Sequence, residues 1–489
     1  MKKIIFLLAS AIVTINAQAG GLLTNTNHHI SFARMLARGA STEIDAVYTN
    51  PAGTAWIKHE GWSLSLNNQS AFQTRNVLAT FPLFPEENHQ RKYKGTASAP
   101  VLPSAYAVYK KDRWALSGFF GITGGGGKCS FAHGLPMFDA AVMTGIYSQT
   151  AQLKAALSQN PELAPLLALP AVSQLLPMTP DSYGINSAMK GTQIVYGGQL
   201  GAAYRLNNHW SGYVGFRMNY FSGNYKGHVN VGLNPEVLAT IQQIAALRPD
   251  LGATLAQMAP EGQLASIALD CDQTGWGVTP IVGIDYKWRG LTLAAKYEFK
   301  TNLNIENDTK QLDVTPATFE GAMADYQDGV NTPSDLPAIL YVAAGYEFIP
   351  GKLRGTIEYH FFDDKRAEMA GDKQKALKRG TNEVLAGIEW DINKTFTVST
   401  GFQRTDYGLA DDFQTHTAFS CDSYSIGLGG AVNLSEKLRL NVGYFWTTYS
   451  DYTKNVEAGN PGYCNTTMAG TDVYSRTNKV FGVGVDYKF

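Results

Sequence analysis

Along most of this chain apolar side chains alternate with polar or small ones at a period of two. At the C-terminal end Phe481, Val483, Val485, Tyr487 and Phe489 share one parity, and Gly482, Gly484, Asp486 and Lys488 the other. Trp276, Val278, Pro280, Val282, Ile284, Tyr286 and Trp288 alternate likewise with Gly277, Thr279, Ile281, Gly283, Asp285 and Lys287. The stretches from Leu291 to Phe299 and from Leu438 to Trp446 repeat the pattern. Successive side chains of a strand point to opposite faces, so each segment has one greasy face and one polar or small face. About fourteen such segments occur. They begin near Trp62, Ser104, Trp114, Gln193, Trp210, Gly275, Leu291, Pro337, Leu353, Asn382, Thr395, Tyr424, Leu438 and Thr477. Each approaches the roughly 10 residues that a tilted strand needs to cross a bilayer.

Every second connection is short: Lys110 to Arg113, Asn207-Asn208, Arg289-Gly290, Ile349 to Gly351, Asp391 to Lys394 and Ser435 to Lys437. The others are long, as from Gly124 to Lys190 and from Lys226 to Thr274. Short periplasmic turns alternating with long outside loops are the asymmetry of transmembrane β-barrels, and an even strand count leaves both termini on the periplasmic side. Tyr204, Tyr286, Trp288, Tyr346, Phe348, Trp390, Tyr487 and Phe489 gather beside the short turns, as an interfacial aromatic ring does. A terminal aromatic closing an alternating strand also resembles the recognition signal of outer-membrane assembly. A soluble sandwich alternates too, but it has no reason for an unbroken greasy face from Trp276 to Trp288, or for turns of two such different lengths.

Composition agrees. No linker divides the 489 residues, and 49 Gly, 25 Tyr and 23 Phe spread along a chain only 17% charged. That suits many short strands and tight turns. A net charge of −1 gives no overall field that would gather nucleic acid or anionic lipid. Lys2 and Lys3, the apolar run from Ile4 to Ile15 and the small-residue site Ala17-Gln18-Ala19 predict a signal peptide over residues 1–19. No later stretch reaches the roughly 18 continuous apolar residues of a membrane-spanning helix. The expectation is an exported protein of the bacterial outer membrane.

Residues 20–60 are not strand-like. They hold a short helical candidate near Ser31 to Arg38, and then run from Gly39 through Glu43, Asp45 and Ala46 into Asn50-Pro51-Ala52-Gly53. Asn-Pro followed by Gly forms turns. A barrel wider than about eight strands leaves a lumen, and a plug folded back into it is the natural use of this segment. The predicted organisation is therefore a signal peptide (1–19), an N-terminal hatch or plug (20–60) and a fourteen-stranded antiparallel transmembrane β-barrel (61–489) with helix-containing extracellular loops.

The acidic-Ala stretch leading into Asn50, Pro51, Ala52 and Gly53, ahead of such a barrel, resembles the FadL/TodX family of outer-membrane transporters of hydrophobic compounds. At motif level the resemblance covers roughly Ala37 to Ala55; in architecture it covers the mature chain. It implies a hatch held in the lumen by the Asn-Pro-Ala turn, uptake of long-chain fatty acids or aromatic hydrocarbons, and a monomer. It also implies a greasy landing groove framed by loop helices and a sideways exit through the wall at a kinked strand. Asn234 and Pro235 can start one such helix, with Val237, Ile241 and Ile244 at helical spacing. Leu166 and Leu169 belong to a second Leu-rich stretch. Gly118 and Gly121, running into Gly124 to Gly127, mark the third strand as the place for a kink. Unbroken ladder bonding along that strand would sink this idea.

Arg217, Lys296 and Arg354 fall on inward parity at mid-strand and are candidates for binding a carboxylate in the lumen. Ion pairs tying wall to plug are the competing use. Cys129, Cys271, Cys421 and Cys464 sit in or beside outside loops, and four Cys in an oxidising compartment suggest two disulfides. Cys421–Cys464 with Cys129–Cys271 is one of three pairings. No short ligand spacing marks a metal site, no cofactor motif is present, and no Gly-x-Ser-x-Gly elbow points to an enzyme. The expected partners are hydrophobic small molecules and outer-membrane lipid, including lipopolysaccharide. The alternatives are a general porin for polar solutes and a loop-based adhesin or receptor.

Overall fold

The computed structural model describes residues 22–489 apart from 163, 169–171, 174–175, 248, 250–261 and 316–322. Residues 1–21, with the expected signal peptide, lie outside the described part. Seventeen strands form one antiparallel sheet. Fourteen of them close the wall: β1 (Gly61–Thr80), β2 (Gln90–Lys111), β3 (Trp114–Phe131), β4 (Tyr183–Arg205), β5 (Trp210–Leu233), β6 (Gln263–Trp288), β7 (Leu291–Glu298), β10 (Ile339–Ile349), β11 (Leu353–Phe362), β12 (Thr381–Asp391), β13 (Phe396–Asp406), β14 (Ser423–Asn433), β15 (Leu438–Tyr449) and β17 (Gly470–Lys488). Each pairs with the next, β7 pairs with β10, and β17 closes on β1 from Ser63↔Lys488 to Thr80↔Thr471. The remaining three are additions at the long-loop end: β8 (Asn304–Thr315), β9 (Asn331–Pro333) and β16 (Tyr452–Val456). Closure leaves the fourteen-stranded wall with no first or last strand, and β9 and β16 remain as short edges at the long-loop end.

All fourteen wall strands lie where the alternation places them. β2, β4, β6 and β17 begin earlier than expected, because they run on past the membrane. Among the described residues no helix is long and apolar enough to cross a membrane, so the crossing falls to strands. The outward faces carry exposed apolar side chains, with Trp276 at 65% and Val214 at 70%. Two rows of aromatics bound this band. Trp114, Trp210, Trp288 and Trp390 lie by the short turns, and Phe120, Tyr196, Tyr220 and Trp276 lie toward the long loops. Twelve residues separate Trp276 from Trp288. At a rise of ~3.3 Å and a tilt of ~45° that is about 28 Å of height, close to the apolar band of an outer-membrane barrel.

The wall is lopsided. β1 to β6 and β17 run for 18 to 26 residues wherever they form the long-loop side, against 10 to 12 for β10 to β15. The excess stands beyond the apolar band, with its own core. Phe81, Tyr93, Phe131, Leu135, Tyr225 and Phe419 are buried there, beneath helix α3 (Pro136–Gln159). Helix α4 (Pro235–Leu247) packs Ile241 and Val237 against the same core.

The expected disulfides are corrected: Cys129, Cys271, Cys421 and Cys464 are free thiols. Cys129 is on β3 and Cys271 on β6, with β4 and β5 between them. Three strand spacings of ~4.8 Å put them about 14 Å apart, twice the reach of a bridge. Cys421 donates to the Tyr474 carbonyl at 3.6 Å inside the apolar core, and behaves as a small buried hydrophobe.

Candidate functional site

Residues 22–57 are buried inside the wall and bond to the inward faces of strands around most of its circumference. His29 caps the short helix α1 (Ile30–Arg34), its Nδ1 accepting from the Ser31 amide at 3.1 Å. Its Nε2 stands 3.2 Å from Asp486. α1 lies against inward glycines, because nothing larger leaves room for its backbone. A Cβ at Gly401 would sit 2.3 Å from the Leu36 nitrogen, and one at Gly427 2.6 Å from the Ala33 carbonyl. Arg34 then bonds Glu389 and, at 2.7 Å, Ser399. Arg38 reaches Asp45 at 2.7 Å, Glu43 at 2.8 Å and Glu389 at 3.2 Å. These buried charges are tolerable because each is paired and hydrogen-bonded.

The Asn50-Pro51-Ala52-Gly53 motif follows helix α2 (Ala46–Thr49). Asn50 Nδ2 donates to the Asp285 carboxylate on β6 at 2.9 Å and to the Ser41 carbonyl at 3.0 Å. Pro51 opens a 3₁₀ turn, Pro51–Trp56. The Ala52 carbonyl accepts from Ser211 on β5 at 2.9 Å. Gly53 passes so near Ser41 that a Cβ would lie 2.3 Å from its carbonyl oxygen. Asn50, Pro51 and Gly53 thus each have a bonding, conformational or steric reason for their identity, while Ala52 contributes its main-chain carbonyl.

The three basic residues expected to face a carboxylate are all in the lumen, and all are engaged. Arg217 holds Glu298 at 2.7 and 2.9 Å and stacks on the Tyr48 ring. Lys296 bonds Glu298 and the Tyr48 carbonyl, both at 2.7 Å. Arg354 bonds Asp391 at 2.7 Å, Glu43 at 3.3 Å and Glu389. They fasten the N-terminal segment to the wall.

A different lysine lines an apolar space. Leu22, Leu23, Ile305, Met369, Phe413 and Lys373 surround a cavity of about 40 Å³ at the long-loop end of the lumen. Lys373 comes from the loop after β11. Its Nζ donates to the Ala418 carbonyl at 3.0 Å and to Thr415 Oγ1 at 3.2 Å, and lies 4.7 Å from the Phe413 ring centre. Burial, with Lys454 and Arg75 nearby, lowers its pKa to about 7. Sequence reasoning missed this residue. It sits in an aperiodic loop, and its apolar neighbours come from chain segments hundreds of residues apart.

The β2–β3 ladder is interrupted. Ser98 pairs with Lys128, and the next pair is Ala105 with Phe120, so residues 99–104 and 121–127 face one another unpaired. Gly121 opens the gap, whereas Gly118 remains paired with Ala107. On its other edge β3 stays joined to β4, with bulges at Ile122/Gly124 and Gly125/Gly127. Gly125 adopts φ +64°. The N-terminal segment satisfies carbonyls that β2 leaves open. The Asn25 amide donates to the Thr123 carbonyl at 2.8 Å, and Asn25 Nδ2 to the Gly125 carbonyl at 2.8 Å. On the outer surface, next to the gap on its short-turn side, Ala105, Ala107, Gly118 and Gly198 floor an apolar groove of about 700 Å³ walled by Leu66, Phe120, Leu200 and Phe216.

For the expected landing groove, Val237 and Ile241 lie on α4 as above, and Ile244 follows on the same helix. Leu166 falls in a 3₁₀ turn, Ala164–Ala168, and Leu169 lies outside the described residues.

No family model matches the chain, and no curated protein matches it by sequence. Solved structures do match in shape. A Pseudomonas aeruginosa FadL homologue superposes with a TM-score of 0.61 at 13% identity, covering 96% of this chain and all of that one. The P. putida toluene transporter TodX gives 0.51 at 14% identity, over 94% and 99% of the two chains. At such identities the likeness is one of fold: this chain has the closed fourteen-stranded architecture of the FadL homologue and TodX.

Proposed function

We propose that this protein is a bacterial outer-membrane channel for the uptake of hydrophobic compounds, long-chain fatty acids foremost, with residues 22–60 as its hatch. The observation that carries the reading is that one short stretch of chain touches both a ligand-like cavity and a break in the wall. Leu22 and Leu23 line the apolar cavity beside Lys373, and Asn25, two residues on, is bonded into the β2–β3 gap.

The outer leaflet of such a membrane resists simple diffusion of greasy molecules, so a binding surface and an exit are both needed. The cavity supplies apolar walls and one ammonium, the chemistry that suits a fatty-acid carboxylate. At about 40 Å³ it has no space for an acyl chain while Leu22 and Leu23 stand where they are in its wall. A ligand must displace them, and displacement pulls on Asn25. Loss of the Asn25 bonds frees the 121–127 stretch of β3, which β2 does not hold. The ligand then leaves sideways between β2 and β3, into the lipid-facing groove beside the gap. A general porin fits less well, because paired charges and the N-terminal segment occupy the lumen.

The test is to purify the barrel in detergent, extract it, and identify bound lipophiles by mass spectrometry. Fatty acids enriched over a matched control barrel support the reading. An empty barrel that conducts ions freely in planar bilayers overturns it in favour of a porin.

A further inference from the structure

Above the upper aromatic row, the outward faces of β2 to β5 carry charge of one sign. The side chains there include Lys92 and Lys94 on β2, Lys128 on β3, Lys190 on β4 and Lys226 on β5. No Asp or Glu occupies an outward position of these four strands at this height, in a chain with 40 basic and 41 acidic residues. Register brings three of the lysines together. Lys190 pairs directly with Lys226, and Ser130, two residues from Lys128, pairs with Lys190. Lys128 and Lys190 are near enough to touch and repel, and Lys226 adds to the repulsion. Asp270, on the β6 edge of the patch, pairs with Lys226 at 2.6 Å and also draws on Lys190. Lys190 stands six residues above Tyr196, about 14 Å along the membrane normal at ~3.3 Å per residue and ~45° tilt.

Like charges held side by side cost energy unless an anion lies between them. Ser98, Ser130 and Thr192 intersperse the lysines and offer hydrogen bonds to phosphate or sugar oxygens, while Asn224 donates to Asp272 at 2.8 Å and Asp270 at 3.1 Å on β6. The patch faces sideways, over the lipid that packs against the barrel, and not up into the medium. We propose that Lys128, Lys190 and Lys226 form a docking site for the phosphorylated headgroup of lipopolysaccharide, which holds one such molecule over the β2–β3 gap. This rests on the outer-membrane placement in the proposed function, but not on what the channel carries.

The test uses the full barrel in detergent, titrated with diphosphorylated lipid A and with the same lipid A stripped of its phosphates, with binding read by native mass spectrometry. The K128Q/K190Q/K226Q variant should bind diphosphorylated lipid A about tenfold or more weakly, and salt should weaken wild-type binding. A K352Q/K394Q/K437Q variant, altered only at the short turns, should bind as wild type. Heat-modified gel mobility checks that each barrel is folded. Equal binding by the first variant, or equal binding of the stripped lipid A, overturns the site. Should the barrel hold lipid A through these lysines yet take up no hydrophobic compound, the docking site stands and the transport reading falls.

Discussion

Replacing Asn50 with alanine removes the side-chain hydrogen bond that joins the Asn50–Gly53 motif to Asp285 on β6. The Nδ2 donates to Asp285 at 2.9 Å and to the Ser41 carbonyl at 3.0 Å. Asp285 is fully buried, and its other carboxylate oxygen has no partner among the described residues. The variant therefore loses two hydrogen bonds, each worth about 1 kcal/mol net, and leaves a buried carboxylate without a donor, at about 1–3 kcal/mol more. A total of roughly 3–5 kcal/mol moves the balance between the seated and displaced N-terminal segment by about two to three and a half powers of ten. The barrel ladder itself is untouched, so the protein should still fold. Single-channel recording in planar bilayers should show frequent large openings that wild type lacks, and limited proteolysis should cut within residues 22–57. N50A/D285A removes donor and acceptor together, and should recover most of the loss, by about 2–4 kcal/mol in a double-mutant cycle. Wild-type conductance and protection in Asn50→Ala, or strict additivity in the cycle, would refute the reasoning.

Lys373 gives a pH prediction. Its pKa in the unoccupied cavity is about 7, below the ordinary lysine value, because burial disfavours the ammonium. A bound carboxylate favours the ammonium, so above pH 7 binding takes up a proton. Fatty-acid affinity should fall by up to about tenfold per pH unit from 7 toward 9, and the Lys373→Gln variant should lose that slope; an unchanged slope counts against the site. Gly401→Val should unseat α1, since the new Cβ lies 2.3 Å from the Leu36 nitrogen, whereas Gly145→Ala on α3 meets nothing within 4 Å and should be silent. Protease exposure of residues 22–57 tells the two apart. Alkylation under denaturing, non-reducing conditions should label four thiols; labelling of none would restore the disulfides.

The membrane-spanning part of the fold was legible because lipid on one side and lumen on the other force a strict period of two. Where strands leave the membrane that force ends, so β2 was read from Ser104 and not from Gln90, across Pro100 and Pro103. The gap lies beside the glycine run of β3, although Gly118 is itself paired with Ala107. Its other lip, residues 99–104 of β2, carried no signal beyond the prolines. The hatch motif was readable as a string, while its seat was not. Gly387, Gly401, Gly427 and Gly443 stand on inward parity on successive strands, and that repeated small position is the signal that marks where a second backbone must fit. Cysteine count misled because separation around the wall, unlike separation in loops, cannot be judged from sequence.

The N-terminal segment inside the barrel also sets the order in which this molecule can be built. Residues 22–57 leave the ribosome before any strand, yet their partners include Asp285, Glu358, Glu389 and Asp486, the last only three residues from Phe489. Arg34 and Arg38 have no burial and no full set of counter-charges until those strands are laid down and β17 has met β1. The first-made segment is therefore the last to reach its native place. Through translocation and insertion it must be kept from mispairing, and a barrel released before its final strand docks would be an unplugged hole in the cell's permeability barrier.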